Sequence, residues 1–227
     1  MEVSPMRRIQ FEGKELRMVV FDFDGVLYDG DSHSVELAKS LGIQNEVGRI
    51  LKDLRARKIS FEEAIINSAK YWEGVEVEIA LKLMRELKLR VGAEETIQKL
   101  KEAGYIVALI SCGGSNTALQ AIKQKLGLDY VYSHSAEVVD GKFTGRLTAP
   151  PVDAVKKAEL FLKVAQEAGL DPSECAVIGN DEMDIPMFTK AKYSIAVNPS
   201  EALKKHAKIV LNLKDMREIL PYLIVED

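Results

Sequence analysis

Met18-Val19-Val20-Phe21-Asp22-Phe23-Asp24-Gly25-Val26 is the stretch on which the fold turns. An unbroken apolar run that ends at once in carboxylates and a glycine reads as a strand covered on both faces, delivering its acids at its carboxyl end. Segments 105–110, 175–178, 193–197 and 209–213 read as further buried strands. Helical patterns lie between them. Ile97 and Leu100 share a face that stops at Gly104, and Ser115 caps a helix carrying Leu119, Ile122 and Leu126 that ends at Gly127. Asp153 caps a longer helix, with Val155, Ala158, Leu162 and Ala165 at helical spacing and Gly169 closing it. Strands alternating with helices imply right-handed crossovers, hence an α/β fold with a doubly wound parallel sheet.

One interval breaks the alternation. From Asp31 to Gly92 there is no strand pattern and about four helical ones, punctuated by Gly42 and Gly74. Ser60 and Glu63 make a capping box ahead of Phe61, Ala64 and Ile65, and Tyr71 and Trp72 are expected to pack within this interval. The expected organisation is a core of residues 1–30 and 93–227 with an all-helical domain, 31–92, inserted as a lid over the sheet. Segment 137–147, with Asp140-Gly141 between short alternating runs, predicts a hairpin, and 9–11 with 16–18 around Gly13 predicts another.

Composition narrows the function. With 227 residues, 47% apolar and 29% charged, the chain can bury a sizeable core and is not a disordered one. A formal charge of −4 argues against nucleic acid as a partner. Cys112 and Cys175 form no C-x-x-C pair, which disfavours zinc and a disulfide scaffold and suits a reducing compartment. No leader-like apolar stretch opens the chain and no run reaches membrane-spanning length, so the expected location is cytoplasmic, with no membrane partner.

Three loops carry the chemistry, each directly after a predicted strand. Asp22 and Asp24 lie on one side of an extended backbone and repel unless a cation or a shared proton intervenes; taken alone, they equally suit a turn cap. Ser111-Cys112-Gly113-Gly114-Ser115-Asn116 joins a strand to a helix, and its glycines and helix N-terminal amides favour an anion. Gly179-Asn180-Asp181-Glu182-Met183-Asp184 gathers oxygen ligands suited to Mg2+. In an open α/β sheet ligands bind outside the carboxyl ends of the strands, where all three loops converge. No G-x-x-x-x-G-K-S/T or G-x-G-x-x-G motif occurs, and Cys112 has Ala118 where a C-x5-R phosphatase needs arginine.

In this order the motifs resemble those of the haloacid dehalogenase superfamily, most nearly its phosphoserine phosphatase-like branch, over nearly the whole chain after residue 16. The resemblance implies a Rossmannoid parallel sheet of order 5-4-1-2-3 with an inserted helical cap. It implies a Mg2+-dependent phosphomonoester hydrolase acting on a small phosphorylated metabolite. Asp22 would be the nucleophile and Asp24 the general acid and base, with both at the metal. Ser111, Cys112, Gly113 and Lys157 would hold phosphate oxygens; Lys157 falls in the family's frame and Lys156 does not. Asn180, Asp181 and Asp184 would complete the metal site.

The chain departs from that pattern twice. Asn180 stands where the family has an aspartate that ligates metal. In the cap, Asp31 takes the place of a glutamate and Phe61 matches a phenylalanine, but Ser68 occupies the arginine position that would grip an amino-acid head group. Phosphoserine is therefore doubtful as the substrate, unless Arg55, Arg57 or Lys70 supplies the charge. A phosphotransferase using the same intermediate, or a non-catalytic phosphate- or protein-binding module, is the alternative. His134 and His206 read as surface, as does His33, although its place near the cap hinge would also let it touch substrate, and Cys112 reads as a packing residue.

Overall fold

The computed structural model describes residues 6–30 and 32–226. Strand β1 (Met6–Arg8) is followed by a small hairpin, β2 (Gln10–Phe11) and β3 (Lys14–Glu15), and then by β4 (Met18–Phe21). Four helices come next, α1 (His33–Ser40), α2 (Gln44–Arg55), α3 (Phe61–Lys70) and α4 (Val77–Glu86). The chain continues through α5 (Ala93–Glu102), β5 (Ile106–Ser115), α6 (Asn116–Leu126), β6 (Tyr130–His134) and the hairpin β7 (Ala136–Val139) and β8 (Lys142–Leu147). It closes with α7 (Ala154–Glu167), β9 (Cys175–Gly179), α8 (Ile185–Lys190), β10 (Tyr193–Val197), α9 (Glu201–Lys204), β11 (Ile209–Leu211) and β12 (Ile224–Glu226), which pairs with β1.

Six parallel strands form the main sheet in the order β11-β10-β9-β4-β5-β6. This contains the expected 5-4-1-2-3 order and extends it by β11 at one edge. The third position belongs to β6, a segment outside the five predicted strands; its sequence Tyr-Val-Tyr-Ser-His is half-exposed at alternate positions, as an edge strand's is. Central β4 is buried at every residue. Val19 and Phe21 enter one core with Ile97, Leu100, Leu119 and Ile122, while Met18 and Val20 enter the other with Phe161 and Val164. Each such side chain contributes about 1.5–3 kcal/mol by leaving water. That two-sided burial holds the acidic end of β4 rigid.

Caps stand where the sequence puts them. Ser60 and Glu63 form the capping box of α3, Ser115 caps α6 and Asp153 caps α7. The buried face of α7 keeps Ala158 and Ala165 of the expected one and differs in the rest. Val155 is 62% exposed and Leu162 is exposed, whereas Lys157, Ala158, Phe161, Val164 and Ala165 are buried. Tyr71 is also exposed, while Trp72 packs edge-on against Phe143. The hairpin β7–β8 forms as expected and reaches the entry to α4, where Gly74 and Val77, the first residue of that helix, donate to the carbonyls of Phe143 and Gly141. Among the described residues no helix is long and apolar enough to cross a membrane.

Candidate active site

β4, β5 and β9 lie side by side, so their carboxyl ends deliver the three loops to one place. Asp22, buried at the end of β4, meets Lys157 of α7 at 2.7 Å, and the same ammonium lies 2.7 Å from Asp184. Lys157 is 1% exposed. Burial alone would push its ammonium down, but Asp184 and Asp22 beside it push it up, and it stays charged. Burial pushes the Asp22 carboxyl up, Lys157 opposes, and Asp184 and Asp181 push it up again. Asp181 rises to about 6 through burial and its neighbour Asp184. One ammonium thus faces three carboxylates, and the site is short of positive charge.

The acidic loop is folded around Asp184. Its Oδ2 accepts the backbone N–H groups of Asn180 and Asp181, at 2.8 and 3.3 Å, while Oδ1 takes Lys157. Asp181 caps the following turn by accepting from Met183 N–H at 2.8 Å. Asn180 lies against Gly25, where a Cβ would stand 2.0 Å from its Nδ2; that close approach, together with a φ of +74°, requires glycine after Asp24. Among the described residues the buried Oδ1 of Asn180 has no hydrogen-bond partner. Among the described residues no three His, Cys, Asp or Glu side chains are arranged to hold a metal. Mg2+ does not need three, since it commonly takes one or two carboxylates, with water and substrate phosphate filling the rest. An orphaned buried oxygen beside an excess of carboxylate fits such a cation.

Between Ile110 and Ser115 the pairing of β5 with β6 is broken, and this is where the glycine loop bulges out. Gly113 N–H donates to Ser111 Oγ at 3.0 Å, and the hydroxyl donates to Gly113 O at 3.1 Å. Burial pushes the Cys112 thiol up, so it remains a thiol, consistent with packing.

Two histidines read as surface are buried. His134 on β6 donates from Nε2 to Cys112 O at 2.7 Å and accepts Val152 N–H on Nδ1 at 2.8 Å, bracing the glycine loop. Burial pushes its imidazole down to about 4. The unfolded chain therefore binds a proton below 6.5 that the folded chain refuses until about 4, and stability is lost over that window as pH falls. Chemical denaturation across it is expected to show wild type losing roughly 3 kcal/mol more than His134→Gln. His33 is fully buried against Asp24, with Nδ1 2.9 Å from Oδ1. His206 is exposed, as expected. Sequence reasoning also passed over Arg90. Its Nε and Nη2 donate to Val26 O and Gly25 O, and Nη2 meets Asp29 at 2.7 Å, clamping the β4 loop where the chain returns from the helices. No local pattern marks these three residues; their partners are remote in sequence or backbone atoms.

A cavity of ≈ 520 Å³ opens over Asp22, Asp24, Ser111, Lys157 and Asn180. Helices α1–α3, the turn after α3 and the β7–β8 hairpin wall it with Leu37, Leu51, Leu54, Phe61, Ser68, Trp72 and Phe143. Arg55 and Arg146 also line it, Arg146 held by Glu137. Asp31, the expected acid of the cap, lies outside the described residues.

An α/β sheet that gathers a buried lysine–aspartate pair, a glycine loop and an acidic loop beneath a helical insert defines a phosphoryl-handling hydrolase. Residues 16–192 match the haloacid dehalogenase-like hydrolases, and the chain belongs to that family, in its phosphoserine phosphatase-like branch. It is 34% identical over 210 residues to a phosphoserine phosphatase of Methanocaldococcus jannaschii, covering 92% of this chain and 99% of that protein. To a phosphoserine phosphatase of Wolinella succinogenes it is 31% identical over 208 residues, covering 92% and 100%. A solved structure described as a phospho-aspartyl intermediate analogue of phosphoserine phosphatase matches with a TM-score of 0.77 at 34% identity, over 92% of this chain and 99% of that one.

Proposed function

We propose that this HAD-type phosphatase is a Mg2+-dependent hydrolase of a small phosphate monoester, with Asp22 carrying the phosphoryl group between two half-reactions. The observation that supports this most is the buried Lys157 ammonium, 2.7 Å from both Asp22 and Asp184 at the floor of the cavity. Asp22 attacks phosphorus and the P–O bond to the leaving group breaks, while Asp24 gives a proton to the departing oxygen. Water then attacks phosphorus, Asp24 takes its proton, and the Asp22–phosphorus bond breaks to release inorganic phosphate. Lys157, Ser111 and the amides of Cys112 and Gly113 hold the phosphoryl oxygens. Asp22, the Asp24 carbonyl and Asn180 would hold Mg2+, with Asp181 beside them. Asp184, whose oxygens are engaged by Lys157 and two backbone amides, shapes that loop. When bound, the ion supplies positive charge to the phosphate and to the crowded carboxylates.

The helical insert, residues 31–92 in this reading, acts as a cap that excludes water and selects the ester. Ser68 offers no charge to an α-carboxylate, and most of the cavity wall is apolar. L-phosphoserine is accordingly not the favoured substrate here. A second reading, phosphoserine itself, draws on the names of the relatives and on Arg55, which reaches the cavity wall from α2. Lys70, by contrast, turns to Asn67.

A panel of phosphorylated metabolites assayed for phosphate release distinguishes these readings. Release with Mg2+, its loss with EDTA, and a kcat/KM for L-phosphoserine below that of at least one other ester are expected. Phosphoserine ranking first would establish the second reading, and no release from any ester would overturn the hydrolase.

A further inference from the structure

We infer that His33, the first residue of α1, positions the Asp24 carboxyl for proton exchange with the ester oxygen and ties that alignment to the placement of the helical insert. The inference rests on the phosphatase reading above. His33 is 0% exposed. Its Nδ1 lies 2.9 and 3.0 Å from the two Asp24 oxygens, and its own backbone N–H donates to Oδ1 at 2.7 Å. Phe23 packs edge-on against the imidazole, with ring centroids 5.0 Å apart. On the loop side, a methyl group on Gly114 would fall 2.3 Å from Nε2, and its φ of +67° already favours glycine. The ring is thus wedged in one orientation.

Among the described residues Nε2 has no hydrogen-bond partner, and the side chain that the imidazole hydrogen-bonds is Asp24. Burying an imidazole with one nitrogen unsatisfied is unfavourable, and a packing role would be served as well by leucine. What leucine lacks is the donor. The backbone N–H engages Oδ1 and Nδ1 spans both oxygens, while Oδ2 also faces the glycine loop so closely that a methyl on Gly113 would fall 2.7 Å from it. The Asp24 side chain keeps 19% of its surface open. These contacts fix the rotamer and hold Oδ2 on the side of the glycine loop that takes the phosphoryl group in the reading above. Asp24 follows the core strand β4 and His33 opens the insert, so the grip exists only when α1 is seated on the core. Proton transfer is therefore available when the cavity is covered.

Leaving-group dependence separates positioning from a structural role. Cleavage of an alkyl phosphate needs the leaving oxygen protonated, whereas p-nitrophenolate leaves with little help. His33→Ala and His33→Leu are expected to lower kcat/KM for an alkyl phosphate about 100-fold, and for p-nitrophenyl phosphate less than about fivefold. The leucine variant fills the site and carries the comparison should alanine not fold. His33→Asn, whose amide N–H can reach the same oxygen, is expected to restore the alkyl ester to within about tenfold of wild type, a gap of about 1.4 kcal/mol. Equal losses on the two esters, or an asparagine variant no better than leucine, would overturn the positioning role and leave the phosphatase standing. Wild type hydrolysing neither ester overturns both.

Discussion

Asp22→Asn is expected to reduce phosphate release by roughly 10^4-fold or more, the scale of loss when a covalent nucleophile is removed. An amide oxygen is a poor nucleophile, and an attacked amide cannot return the phosphoryl group to water as an acyl phosphate does. The substitution is nearly isosteric, so Ser111, the glycine loop and the acidic loop keep their places and the cavity still accepts the ester. Stability should change little. The variant loses the charged partner of Lys157, but it also loses a carboxylate that burial, Asp184 and Asp181 all disfavour. Two measurements check this: steady-state phosphate release, and the intact mass of acid-quenched protein after mixing with ester. Wild type should show a phosphorylated fraction and the variant none. Turnover in Asp22→Asn above a tenth of wild type would remove Asp22 from the reaction.

The sheet was legible where burial on both faces turns a strand into an unbroken apolar run, as in β4 and β9, both buried throughout. It was illegible at β6, where an edge position mixes tyrosine, serine and histidine with a single valine. On α7 the apolar spacing found Ala158 and Ala165 but misplaced the rest of the stripe, because the true buried face contains Lys157. Hydropathy treats a buried cation as a break, and only its two carboxylate partners make that burial tolerable. The three loops could be anticipated because each follows a strand directly, and parallel strands bring such loops to one edge. The burial of His33, His134 and Arg90 could not, because burial of a polar side chain depends on partners that arrive from elsewhere in the chain. Asn180 shows both sides: its amide in place of an acid is plain in the sequence, while its contact with Gly25 exists only in three dimensions.

Lys157→Met is expected to damage folding and turnover together, with opposite responses to pH for the two losses. Methionine keeps the length of the side chain on α7 but leaves Asp22 and Asp184 buried without a cation. Removing one partner of a buried ion pair typically costs about 3–5 kcal/mol. Asp22 would then be held further above its ordinary value, because the charge that opposed burial is gone. A carboxyl raised in the folded state costs stability above its folded pKa and costs none once pH falls below its unfolded value, where both states are protonated. The deficit of the variant should therefore be largest near neutrality and shrink as pH falls towards the ordinary 3.8 of an aspartate. Turnover moves the other way. The variant already lacks the charge that holds the phosphoryl oxygens, worth about 10^2–10^3-fold. Acidification further removes the ionised Asp22 that must attack. Urea titrations from pH 8 to pH 5, with kcat measured at the same points, test both slopes. A stability deficit that stays constant with pH would mean that Lys157 is not what balances Asp22 and Asp184, and would detach the lysine from the nucleophile it touches.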